Sequence, residues 1–179
     1  MKLKIRTLCE IPLFVSLMTI CAWLSIPSPI PFTLQTFAFF LCCLCLGGKM
    51  AFVCTTVYLF LGIVGVPVFS SFGAGIGIVL GTSGGFLVGL LPASLTYYIF
   101  TILFGNKDFF KVIGCVAGLF ICYIFGAVWY IFIYLSTPTT IFTPVLTCIL
   151  PFVIPDGVKL FLAYLVYTRI RKTLSIKNL

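Results

Sequence analysis

The chain has 179 residues, of which 62% are hydrophobic and only 8% charged, with a mean hydropathy of +1.29. Soluble domains carry about 25% charged residues, so this composition excludes an ordinary water-soluble protein and places the chain in the membrane class. The net charge of +8 does not point to nucleic acid, because the cations flank apolar runs and form no patch interleaved with aromatics.

A bilayer crossing takes roughly 20 apolar residues per helix. Six runs approach that length, at approximately 9–27, 34–48, 50–66, 80–104, 111–135 and 146–168, with Pro, Gly and Lys at the breaks. The expected fold class is all-α: a polytopic membrane protein with six transmembrane helices, forming one integral membrane domain over residues 1–179. The first run exceeds the roughly 7–15-residue core of a cleaved signal, and its removal would leave an odd number of spans. It is therefore expected to stay in place.

Orientation follows from Lys and Arg, which collect in cytoplasmic loops. Lys2, Lys4 and Arg6 precede the first run, and Lys49 lies between the second and third. Lys107 and Lys111 separate the fourth and fifth, while Arg169, Arg171, Lys172 and Lys177 follow the sixth. The loops around 27–33, 67–79 and 136–145 carry no cation. Both termini are thus expected to face the cytoplasm.

Enzyme signatures are scarce. There is no histidine, no phosphate-cradling G-x-x-x-x-G-K-[ST] loop, and the only carboxylates are Glu10, Asp108 and Asp156. Cys42, Cys43 and Cys45 cluster, yet the chain has no histidine to join them and all nine cysteines fall in apolar runs, where cysteine acts as a small hydrophobe. Neither catalysis nor a metal is expected, although an embedded Cys or Lys enzyme stays as a different-class rival.

Glycine recurs at 73, 77, 81, 85 and 89, and again at 114, 118 and 126 with Cys122 between them. Four-residue spacing makes a stripe on a helix where a second backbone approaches closely. Gly73, Gly75 and Gly77 precede the expected helix, in an outer loop after "VGVPVF" (64–69). Irregular backbone at membrane depth is tolerated when it is buried in protein or lines a cavity, so this loop either packs or faces a ligand.

The most telling stretch is "PDGVK" (155–159), inside the apolar run from Leu146 to Tyr167. A charge at a membrane helix centre costs about 2.5–3.5 kcal/mol, and such residues usually face the bundle interior and mark a substrate path. Asp156 and Lys159, at i and i+3, share one helix face and form a local pair. Counting back from Arg169 at 1.5 Å per residue puts Asp156 roughly 20 Å from the cytoplasmic end, in the outer half. An acceptor beside a donor complements a urea-like or amide-like edge, and the aromatic residues, 17% of the chain, suit an apolar body.

The stretches "IPFTLQTF" (30–37), "GVPVF" (65–69), "LGTSGGFLVG" (80–89) and "PDGVK" (155–159) together resemble the BioY-type biotin transporter subunit, the substrate-binding S component of energy-coupling factor transporters. The resemblance runs in order over most of the chain. It implies a multi-pass protein of the bacterial cytoplasmic membrane that captures biotin from outside. It also implies a transmembrane coupling subunit and two cytoplasmic ATPase subunits as partners, which use ATP while this chain holds no cofactor. ATP hydrolysis by those partners then reorients the S component in the bilayer and releases biotin inward.

Residue by residue, the resemblance makes Asp156 and Lys159 the D-x-x-K that contacts biotin, holding the ureido ring. Thr82, Ser83, Gly84, Gly85 and Phe86 match the glycine-rich stretch lining the site, and Gln35 and Phe69 complete the expected substrate contacts. Thr82 and Phe86 stand where the family commonly has Pro and Tyr, and no cation lies between Lys49 and Lys107 where some members carry arginine. The biotin carboxylate is then left to backbone N–H groups, Gln35 or Lys159. The first run lacks a clean Ala-x-x-x-Ala docking face, with Cys21 and Ser25 as small residues at the matching spacing. A related S component for another vitamin is the nearer rival.

Overall fold

The computed structural model describes residues 5–26, 31–134 and 149–176. Expectations for Lys2, Lys4 and Lys177, for the loop at 136–145 and for most of that at 27–33 lie outside the described residues.

Apolar runs of Leu, Phe, Ile and Cys satisfy their own backbone groups only by coiling, which is the requirement a lipid environment imposes. Among the described residues the elements are α1 (Ile5–Trp23), β1 (Ser25–Ile26), β2 (Phe32–Thr33), α2 (Gln35–Leu46), α3 (Gly48–Val64), α4 (Ile76–Val79), α5 (Gly84–Phe104), α6 (Asp108–Tyr134) and α7 (Leu150–Ile176). A single 3-10 turn, Ser70–Phe72, precedes α4. The fold is mostly helical, as expected, but not purely so: β1 and β2 form an antiparallel ribbon pairing Ser25 with Thr33 and Ile26 with Phe32. That pairing, with the Leu34 N–H donating to the carbonyls of Leu24 and Cys21, ends α1 at Trp23, short of the expected 27.

Among the described residues, three helices, in α5, α6 and α7, are long and apolar enough to cross a membrane, while α2, α3 and Cys9–Trp23 of α1 are shorter apolar helices. Their outer faces are apolar: Phe132 is 84% exposed and Ile154 78%. So much exposed hydrocarbon is foreign to a water-soluble monomer.

The interior centres on α2, which buries Gln35 and nearly everything from Ala38 to Leu44 against α1, α3 and α7. Gly47 adopts φ +80, a left-handed conformation that folds α2 directly back into α3 without a longer loop. The most extensive pairing is α5 on α6. There glycine permits close approach: a Cβ on Gly118 would lie 2.8 Å from the Ala93 carbonyl oxygen, and one on Gly85 would run into Trp129. The glycine stripe from 73 to 89 is not one helix face, however. Gly85 and Gly89 lie on α5, Gly77 on α4, and Gly73 and Gly81 in the connecting loops.

The expected docking pair on the first helix is also corrected. Cys21 is 6% exposed and packed in the chain's own core, and Ser25 belongs to β1 instead of the helix.

Candidate functional site

Asp156 sits in the second turn of α7, after Pro151 in the first turn, where a missing N–H is tolerated. It is 2% exposed and Lys159 5%, and the Lys159 ammonium donates to Asp156 Oδ1 at 2.7 Å. Two further donors converge on the same carboxylate. Thr36 Oγ1 on α2 donates to Oδ1 at 2.8 Å, and the Tyr123 hydroxyl on α6 donates to Oδ2 at 2.6 Å. Three helices are thereby tied to one anion. The Lys159 Nζ also lies 4.2 Å from the ring centroid of Phe32, which stacks on Phe152 at 5.9 Å, a cation–π contact at the ribbon.

These groups border a partly open cavity between α2, α5, α6 and α7. Its polar groups come chiefly from Gln35, Thr36, Tyr123, Asp156 and Lys159, and α5 and α6 supply apolar wall through Phe86, Leu90 and Leu119. Gln35 Nε2 is buried without a hydrogen-bond acceptor among the described residues, so it is an unused donor at the cavity edge. Leaving such a donor unpaired costs about 1–3 kcal/mol, which an acceptor on a bound molecule would recover.

The loop between α3 and α5 contributes Ser70 and Ser83 to the lining. Its backbone is irregular, and three aromatic donors hold its carbonyls: Trp23 Nε1 binds the Pro67 oxygen at 2.9 Å, the Tyr58 hydroxyl that of Val68 at 2.9 Å, and Trp129 Nε1 that of Gly81 at 3.2 Å. Buried irregular backbone requires such partners.

The structure brings Gln35, Ser83, Phe86, Asp156 and Lys159 together around the cavity, as the sequence suggests. It places four other expected residues elsewhere. Phe69 is fully buried, edge-on to Tyr58 with ring centroids 5.7 Å apart, and its ring occupies the space that the missing side chain of Gly62 leaves. Gly84 admits the Val79 carbonyl and Gly85 the Trp129 side chain, so both serve packing. Thr82 is not among the lining residues. Thr36, Ser70 and Tyr123 were not anticipated. No periodicity marks them, and Tyr123 and Thr36 meet Asp156 across 33 and 120 residues of chain.

The sequence profile of the BioY family matches residues 1–176. The chain belongs to the BioY family. The biotin transporter BioY of Thermotoga maritima is 34% identical over 170 residues, covering 93% of this chain and 96% of that protein. A probable biotin transporter BioY from Pyrococcus horikoshii is 30% identical, covering 94% and 98%. In fold, this chain is similar to a crystal structure of the S-component for biotin from an ECF-type ABC transporter, with a TM-score of 0.81, 24% identity, and coverage of 94% of this chain and 92% of that one.

Proposed function

We propose that this chain is the biotin-capturing subunit of an energy-coupled uptake system and not an enzyme. The observation that carries the reading is the buried Asp156–Lys159 pair at the edge of a cavity with an apolar wall. Asp156 accepts from the ureido ring of biotin, and Lys159 and Gln35 donate to its oxygen acceptors. Ser83 and Phe86 line the site, while Phe69, Thr82, Gly84 and Gly85 support it from behind.

In this reading the six longer helices span the cytoplasmic membrane of a bacterium as one domain, with both termini inside. Lys49, Lys107, Arg169 and Lys172, all exposed, then face the cytoplasm, in keeping with the usual distribution of cations. The Asp108–Arg171 ion pair at 2.8 Å brings the start of α6 and the end of α7 to one end of the molecule, which supports a common side for those charges. Biotin enters from the opposite side, past the loop between α3 and α5. A transmembrane coupling subunit and two ATPase subunits then drive its release inward.

Competition on the purified protein in detergent tests the assignment. Unlabelled biotin is expected to displace labelled biotin while thiamine and riboflavin do not, and the ligand is recovered chemically unchanged. Displacement by another vitamin at lower concentration, or recovery of a product, would defeat it.

A further inference from the structure

We infer that Tyr123 and Thr36 are positioning residues that leave Asp156 one acceptor position, on Oδ2, for a single ring N–H of the ligand. The inference rests on the biotin reading above and deepens it.

A carboxylate offers about four lone-pair positions. Oδ1 accepts from Thr36 Oγ1 at 2.8 Å and Lys159 Nζ at 2.7 Å, which fills it, and Oδ2 accepts from the Tyr123 hydroxyl at 2.6 Å. Among the described residues no other donor reaches the group. Asp156 is 2% exposed and lines the cavity, so water does not saturate the remaining position freely. Because the three donors arise from α2, α6 and α7, the carboxylate plane cannot turn without breaking at least one of them. The free position on Oδ2 therefore has a fixed direction.

Tyr123 matters most, since it shares Oδ2 with the position left for the ligand and is itself 6% exposed at the cavity wall. Its hydroxyl fixes where the second lone pair points. A cyclic urea presents two N–H groups on opposite sides of its carbonyl, and one free acceptor position takes one of them. Selectivity at Asp156 is thus for a single unsubstituted ring nitrogen.

The alternative is that Tyr123 only satisfies a buried hydroxyl. Ligand dependence separates the two. Full-length wild type, Tyr123→Phe and Thr36→Val are titrated in detergent with biotin and with the two biotins methylated on one or the other ring nitrogen. Wild type is expected to bind one methylated ligand about tenfold to a hundredfold more weakly than biotin, the range for a hydrogen bond to a charged group. Tyr123→Phe is expected to weaken biotin by about tenfold while shifting that methylated ligand by less than about twofold. An equal shift for both ligands, no shift for either, or a wild type indifferent to both methyl groups overturns the inference. If Tyr123→Phe does not fold, Thr36→Val carries the same comparison with the same outcomes. A wild type that binds no biotin defeats the biotin reading itself, a result distinct from each of these.

Discussion

Replacing Lys159 by Met removes one partner of a pair in which both side chains are almost wholly buried, 6% and 3% exposed. Asp156 then keeps the Thr36 and Tyr123 donors but loses its counter-charge while itself only 2% exposed. Breaking a buried ion pair from one side costs about 3–5 kcal/mol, because the remaining charge is uncompensated. For a chain of this size each kcal/mol lowers Tm by about 2–4 °C, so the variant is expected to melt about 6–20 °C below wild type. Adding Asp156→Asn to Lys159→Met removes the stranded charge and leaves an amide oxygen to accept from Tyr123. The double variant is therefore expected to regain most of the stability while still failing to bind ligand, a coupling that a double-mutant cycle measures. Thermal unfolding of the four proteins in one detergent is the assay. A Lys159→Met variant as stable as wild type, or a double variant no more stable than that single variant, would refute the reasoning.

Gly118→Val is expected to force α5 and α6 apart, since its Cβ would lie 2.8 Å from the Ala93 carbonyl oxygen; overpacking of this kind costs about 1–3 kcal/mol and lowers Tm accordingly. Trp129→Phe removes the donor to the Gly81 oxygen, and hydrogen exchange in the segment from Gly75 to Ser83 is expected to quicken while that of α3 is unchanged. Gly47→Ala meets no steric contact but places a side chain at φ +80 and ψ 168, with an expected loss of about 1–3 kcal/mol in thermal unfolding. By contrast, Arg171→Gln removes an exposed partner of Asp108, and both ligand affinity and Tm are expected to stay close to wild type at physiological salt.

The Asp156–Lys159 pair was legible because two charges at i and i+3 stand out in an apolar run, and helix geometry alone puts them on one face. What surrounds them was not. Thr36 looks like any threonine near a helix start, and nothing local links it to a carboxylate 120 residues away. Phe69 reads as an aromatic beside a glycine-rich loop, and only the bare Cα of Gly62 reveals that its ring packs inward. The start of α5 at Gly84 was masked by an apolar stretch continuous with α4. The break arises where the Leu80 N–H closes α4 onto the Ile76 oxygen and the Val79 carbonyl lies against the bare Cα of Gly84. Hydropathy marks where a helix meets lipid and not where it stops. Hence α7 runs on to Ile176 through Arg169, Arg171 and Lys172, good helix formers, one of which Asp108 anchors. The carbonyls held by Trp23, Tyr58 and Trp129 have no sequence signature at all, because any residue supplies a backbone oxygen.

Equilibrium binding of labelled biotin to the purified protein in detergent, with Asp156→Asn alongside, tests the central claim most directly. Saturable one-to-one binding by wild type, lost in a variant that remains folded, is the predicted result. A folded wild type that binds no biotin, or an Asp156→Asn variant that binds it equally well, would contradict the account.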